Sequence, residues 1–246
     1  MFYIIGIGLN TKQLTIEARY AIKDCKDVYI DNYTNIFSEG ELQEIEKTID
    51  KKITKLNRIE LEQKQEFLKD SSCLLVIGNA FSATTHYTLI DEAKQKGLKT
   101  KIISGISIFN YRGASGLFEY KFGKTTSIVY PDGNYKPTSF YDCIIDNLKI
   151  NAHTLCLLDI KTDQNRFMNI KEACEILEEI DNESNNGQLT NCVCVALCGI
   201  ASENQEVITF DFKNYKQIDS KSYPQSLIIC GQLNDFERDG LNEYRH

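Results

Sequence analysis

The chain has 246 residues, with 28 basic and 35 acidic side chains and a formal charge of −7. At 42% hydrophobic and 26% charged it has a globular composition, which excludes a disordered or fibrous protein. The acidic balance gives no overall pull toward nucleic-acid phosphates, and no local basic patch replaces it. No apolar run reaches the roughly 18 residues of a membrane span. Met1–Gly8 reads as a buried strand and not as a secretory leader. Nine cysteines, mostly set in apolar runs such as Cys156-Leu157-Leu158, suit reduced core thiols and a cytoplasmic location.

Apolar runs of strand length alternate with stretches of helical period, the pattern of βαβ units on a parallel sheet. Strand Phe2–Ile7 comes first. A helix capped by Thr15 should follow, with Ile16, Tyr20 and Ala21 on its inner face. Val28–Ile30 is a second strand. Ser38-Glu39-Gly40-Glu41 has the form of a capping box and opens a helix with Leu42, Ile45 and Ile49 inside. Leu61–Lys69 has the pattern of a charged amphipathic helix. Cys73–Ile77 is the strongest strand; a helix over Ser82–Lys96 ends at Gly97, a C′ glycine, and Lys101–Ile103 is a strand.

The second half changes character. Strand Ser127–Tyr130 stops at the turn Pro131-Asp132-Gly133. Helix Pro137–Lys149, strand His153–Ile160 and an Asn169-capped helix to Asp181 follow. The polar loop Asn182–Gln188 leads to strands Asn191–Leu197, Glu206–Phe212 and Ser226–Cys230, which implies a mixed sheet. Gly105, Gly113 and Gly116 place a boundary near Ile108–Gly116. The expectation is an α/β chain of two α/β domains, 1–110 with a mostly parallel sheet and 111–246 with a mixed one.

Gly6-Ile7-Gly8 after a strand is half of a dinucleotide fingerprint, but no third glycine or immediate helix follows to meet a pyrophosphate. No Walker sequence occurs. Gly78–His86 leaves the strongest strand at its carboxyl end, where open α/β sheets bind ligands, and Ser104–Asn110 is a second exit of the same kind. Cys192, Cys194 and Cys198 alternate onto one strand face without the wrapping turns of a zinc site. Three histidines and no Gly-x-Ser-x-Gly elbow leave a hydrolase triad unsupported.

Phe2–Leu9, Tyr29–Thr34, Gly78–His86, Phe122-Gly123-Lys124-Thr125, Ser139-Phe140-Tyr141 and above all His153-Thr154-Leu155-Cys156-Leu157-Leu158-Asp159-Ile160-Lys161 resemble, in order, the blocks of the diphthine synthases of the tetrapyrrole methylase superfamily. The likeness spans nearly the whole chain. It implies an S-adenosylmethionine-dependent methyltransferase, with the cofactor in the cleft between two α/β domains and a homodimeric assembly. The substrate it implies is translation elongation factor two, at the amino group of a 3-amino-3-carboxypropyl histidine on the route to diphthamide. Matching motif positions puts cofactor contacts at Leu9, Asn79, Ser82, Ser107, Ile108 and Leu158, with Ile200 and Gln225 as further contacts; no metal and no dedicated catalytic base are implied.

The chain departs from that family at Gly78-Asn79-Ala80, where Gly-Asp-Pro is usual. A charged hydrogen bond contributes about 1.5–3 kcal/mol and a neutral one about 1 kcal/mol, so weaker cofactor binding is expected. Gln225 stands where histidine is frequent, and Leu197–Ala201 lacks the family's arginine and later glycine. Methyl transfer from a sulfonium is an in-line displacement, so the expected catalysis is by positioning, with backbone carbonyls of Gly78–Ser82 and Ser104–Ile108 orienting the cofactor. Two alternatives stay open: a degenerate member that keeps dimer, cofactor or elongation-factor binding without catalysis, and a nucleotide-dependent oxidoreductase suggested by Gly6-x-Gly8.

Overall fold

The structure, a computed structural model, describes residues 1–32, 39–82, 86–133, 135–184 and 187–244. It divides into two compact units, Met1–Asn110 with Thr162–Asn165, and Tyr111–Lys161 with Arg166–His246. Tyr33 and Thr34 of the second block, Ser38 of the capping box, residues 83–85 of the Gly78–His86 block and residues 185–186 of the polar loop lie outside the described residues.

Among the described residues of the first unit, β1 (Phe2–Gly6), β2 (Asp27–Asp31), β3 (Thr54–Leu56), β4 (Ser72–Val76) and β5 (Thr100–Ile103) form one sheet. Their order is β3-β2-β4-β1-β5 and every neighbouring pair is parallel. A parallel sheet needs cover on both faces. On one face Ile5, Val28, Ile30, Cys73 and Leu75 pack against α1 (Ile16–Asp24) and α2 (Glu39–Ile49). On the other, Phe2, Ile4, Leu74 and Val76 pack against α3 (Tyr87–Gln95).

The Thr15 hydroxyl caps α1 by accepting from Ala18 N–H at 3.1 Å, as expected. The inner face of that helix is not the expected one. Ala18, Ala21 and Ile22 are buried, while Ile16 and Tyr20 are 72% and 68% exposed. Two apolar stripes were available, and the one with alanines lets the helix lie closer to the sheet. In α2, Leu42, Ile45 and Ile49 are buried as expected. The helix expected over Leu61–Lys69 is one π turn, Glu60–Lys64, closed by Gln65 at φ +51°, after which Phe67 and Leu68 enter the core. Helix α3 starts at Tyr87 and not at Ser82; it ends before Gly97 at φ +73°, the expected C′ glycine.

In the second unit, β6 (Thr126–Ile128), β7 (Thr154–Leu158), β10 (Val193–Cys198), β11 (Glu206–Asp211) and β12 (Gln225–Ile229) are ordered β11-β10-β12-β7-β6. The β6–β7 pair is parallel and the others antiparallel, so the sheet is mixed as expected. β8 (Ile160–Lys161) and β9 (Arg166–Phe167) pair as a short hairpin. Helices α4 (Ser139–Lys149) and α5 (Ile170–Glu183) cover one face, packing Ile144 and Leu177 against Cys156, Cys194 and Leu227. Asn169 and Glu172 close a capping box on α5. Cys192, Cys194 and Cys198 share that core, and burial pushes the thiols of Cys192 and Cys198 up to about 11.

Helix α6 (Asp235–Asn242) is an addition to the sequence reading. The stretch expected to be loose is a 3₁₀ helix over Ile108–Ser115. A Cβ on Gly116 (φ +88°) would lie 2.9 Å from the Gly240 carbonyl carbon, so this glycine serves a close backbone approach to α6 and loosens nothing.

Candidate functional site

In the first unit the chain leaves β1 toward α1 on one face of the sheet and leaves β4 toward α3 on the other. Neighbouring strands whose exits part in this way open a crevice at their carboxyl ends, the usual ligand position in open α/β sheets. Here Gly78 N–H donates to the Gly8 carbonyl at 2.8 Å and Gly8 N–H to the Gly78 carbonyl at 3.3 Å, with φ of +77° and +82° at the two glycines. The β5 exit presses against both strands. A Cβ on Gly105 would lie 2.2 Å from the Gly78 oxygen, and one on Gly6 would lie 2.6 Å from Gly105 N. Gly6 is therefore required by backbone packing, which accounts for it without a dinucleotide.

Leu9 and Ser107 close around Gly78: from its ideal Cβ position, Ser107 Cβ is 3.5 Å away and Leu9 Cδ2 3.7 Å. The Leu9 N–H donates to the Gln13 side-chain oxygen at 2.8 Å, and Ser107 N–H to Asn110 Oδ1 at 2.9 Å. Asn79 Oδ1 accepts from Phe81 N–H at 3.0 Å, while its amide nitrogen donates to the Gly105 carbonyl at 3.3 Å. A carboxylate at this position could not make that second bond, so Asn79 ties the β4 and β5 exits together. Ser82 N–H donates to the Asn79 carbonyl at 3.1 Å, and half-buried Ile108 opens the 3₁₀ helix.

The structure thus gathers Leu9, Asn79, Ser82, Ser107 and Ile108 on the three exits. The hydroxyls of Ser82 and Ser107 have no hydrogen-bond partner among the described residues. Apolar Leu9 and Ile108, two hydroxyls without a partner among the described residues and a neutral amide, all carried on these exits, suit the uncharged ring and sugar of an adenosyl group. The carbonyls of Gly78, Asn79, Gly105 and Ser107 already accept in-chain donors, so they are held in place with one lone pair remaining on each.

Leu158, Ile200 and Gln225 belong to the second unit and share one end of its sheet. Leu157 pairs with Ser226, Ile128 with Leu158 and Cys198 with Gln225, and Ile200 follows β10 by two residues. Ile200 lines a groove of about 440 Å³ with Tyr111, Ala114, Gln205 and Tyr244, a volume within the ordinary range of ligand pockets. The Gln225 amide is engaged by the fold. Its oxygen accepts from Ile170 N–H at 2.9 Å, and its nitrogen donates to the carbonyls of Ser220 and Ser222 at 3.1 and 3.2 Å.

Two buried networks escaped the sequence reading. His86 Nε2 lies 3.0 Å from Asp31 Oδ2, and its Nδ1 lies 3.1 Å from the Ala80 carbonyl oxygen. In the second unit Glu237 accepts from His153 Nε2 at 2.9 Å, Phe118 N–H and Asn234 N–H at 3.1 Å each, and the Lys121 ammonium. Burial alone would raise the Glu237 carboxyl; the donors of Lys121, His153, Phe118 and Asn234 bring it down to about 2. Burial holds the His153 imidazole below its usual range, against the pull of Glu237. Nothing in the sequence marked Asp31 as the buried partner of His86, or Glu237 as that of His153.

The family model of the Tetrapyrrole (Corrin/Porphyrin) Methylases matches residues 1–213. The diphthine synthase of Staphylothermus marinus is 37% identical, over 98% of this chain and 92% of the relative. The diphthine methyl ester synthase of Kluyveromyces lactis is 34% identical, over 99% of this chain and 90% of the relative. A crystal structure of an Entamoeba histolytica protein assigned as a diphthine synthase matches with a TM-score of 0.90 at 30% identity, covering 100% of this chain and 98% of that one. The blocks read from the sequence, the sheet order and these likenesses agree: the chain belongs to the tetrapyrrole methylases and, within them, to the diphthine synthases, S-adenosylmethionine-dependent methyltransferases of diphthamide biosynthesis.

Proposed function

We propose that this chain methylates the amino group of the 3-amino-3-carboxypropyl histidine of translation elongation factor two, in the cytoplasm and as a homodimer. The observation that carries the reading is the meeting of Leu9, Gly78 and Ser107 at the parting exits of β1 and β4, on loops whose Ser82 and Ser107 hydroxyls have no partner among the described residues. When bound, S-adenosylmethionine supplies an electrophilic methyl carbon. Leu9 and Ile108 pack on its apolar surface, Ser82 and Ser107 offer hydroxyls, and Asn79 holds the two loops at a fixed spacing. Leu158 and Ile200 share one end of the second unit's sheet, where the family resemblance puts apolar positions for the donor. Gln225 acts there through the backbone it braces, since its amide is already engaged.

A fixed loop frame suits catalysis by positioning, in which aligned groups replace a bimolecular encounter. Incubation of unmodified-precursor elongation factor with the protein and S-adenosylmethionine, read by mass spectrometry of the modified peptide, tests this. Stepwise methyl additions support the reading, and their number separates an outcome of the diphthine kind from a methyl ester. Calorimetric binding of S-adenosylhomocysteine without methyl incorporation would favour a non-catalytic member instead.

A further inference from the structure

The loop that carries Asn79 and Ser82 is anchored from behind by a pair of buried ionisable side chains. His86 and Asp31 are 3% and 1% exposed. Asp31 closes β2, the neighbour of β4, and His86 stands at the N-cap position of α3. The two side chains therefore join the end of one strand to the loop leaving the next. Ala80, whose carbonyl faces His86 Nδ1, is itself buried, and it sits between Asn79 and the Phe81 N–H that Asn79 Oδ1 engages.

The proton count fixes the direction of these bonds. A carbonyl oxygen can only accept, and a carboxylate oxygen accepts unless protonated. With both contacts made, either the ring carries two protons against an ionised Asp31, or the ring carries one and Asp31 the other. Both arrangements are neutral overall, and in both the ring hydrogen on Nδ1 points at the Ala80 carbonyl. Asp31 thus acts as the second partner that sets a histidine's orientation and tautomer.

We propose that His86, oriented by Asp31, is a positioning residue for the methyl donor: its Nδ1–H holds the Ala80 carbonyl and through it the backbone that presents Asn79 and Ser82. This rests on the functional reading above, because it assigns those two residues to the donor. His86 touches neither donor nor substrate. Its effect is confined to the affinity for the donor and spares the step after binding.

Two substitutions separate the ring's two bonds. His86→Asn puts an amide nitrogen at the place of Nδ1 and can keep the bond to Ala80. His86→Gln puts one at the place of Nε2 and keeps only the bond to Asp31. Each loses one buried partner, so a purely structural role would make donor affinity follow melting temperature in both. Calorimetry with S-adenosylhomocysteine should show His86→Gln weakened about tenfold while His86→Asn stays within about threefold of the parent. With saturating donor, kcat should be retained in both, and KM for the donor should carry the difference. Asp31→Asn, which lowers stability but leaves the Nδ1–H bond, should bind nearly as the parent does. Amide hydrogen exchange at Phe81 and Ser82, faster in His86→Gln than in His86→Asn, gives the same ordering without ligand.

Equal losses in the two His86 variants, or a His86→Gln protein that binds as the parent does, overturn the inference alone. A parent protein that binds no S-adenosylhomocysteine overturns the functional reading and this inference with it.

Discussion

Each unit buries a histidine beside a carboxylate, and the two pairs differ in what the second ring nitrogen meets. His153 Nδ1 accepts from Gly231 N–H at 3.0 Å, so the ring is neutral with its proton on Nε2, donating to Glu237. His86 has an acceptor on each side, so its pair must share two protons. The second unit satisfies a buried carboxylate completely, with four donors around Glu237. The first uses its pair to hold the loop that carries Ser82, whose hydroxyl has no partner among the described residues. The contrast separates a knot that only stabilises from a brace whose product is a positioned surface.

The comparison breaks hardest at the glycines. Gly105→Ala puts a methyl 2.2 Å from the Gly78 oxygen, where only backbone could yield. A loss of more than about 4 kcal/mol, read as insoluble protein or a collapsed denaturant midpoint, is expected. Next is Glu237→Ala, which strands the His153 Nε2–H, leaves the Lys121 ammonium only the Gln232 carbonyl, and removes the acceptor of two N–H groups. About 3–5 kcal/mol of stability should go in urea titration, with the donor affinity of folded protein kept.

Acid should act through the same knot. The folded His153 lies below its usual 6.5, so the unfolded chain takes up that proton first, and stability falls as pH drops below 6.5. Glu237 at about 2 against its ordinary 4.5 extends the loss: its contribution is full above 4.5 and disappears as pH falls toward 2. His153→Gln, which keeps a donor for Glu237 but does not titrate, should remove the earlier step from urea midpoints measured across that range. Ser107→Ala, in the first unit, should leave the midpoint unchanged and weaken S-adenosylhomocysteine binding by about threefold to tenfold in calorimetry.

What the sequence disclosed follows from which side chains face inward. β1 and β4 are continuous apolar runs, and the caps at Thr15 and Asn169 and the stop at Gly97 use local chemistry that needs no tertiary knowledge. Helix α6 was illegible because its inner face is Glu237, Gly240 and Leu241, while Phe236 is exposed; no apolar period exists to find. In α1 the period was present twice, and the choice of stripe depended on how closely the sheet could be approached. Leu9 was marked by the family resemblance alone, and the loops that carry Asn79 and Ser107 were legible as strand exits. Their support was not, because Gly6, Gly105 and Asp31 act across three strands that only the folded sheet makes neighbours.

The smallest effect lies where the second unit departs from its own rule. Thr209 Oγ1 is buried and has no hydrogen-bond partner among the described residues, although the Thr209 N–H donates to the Tyr244 carbonyl at 2.8 Å. Thr209 pairs with Val195 across the β10–β11 ladder, where a β-branched residue already fits. Thr209→Val keeps the branching and the backbone bond and replaces an unsatisfied hydroxyl by a methyl group. Burying a polar group without a partner costs about 1–3 kcal/mol, so this variant should gain about 1 kcal/mol in urea titration after a small packing loss. If it instead loses stability, the hydroxyl has a partner, and every buried polar side-chain atom among the described residues of the second unit is satisfied.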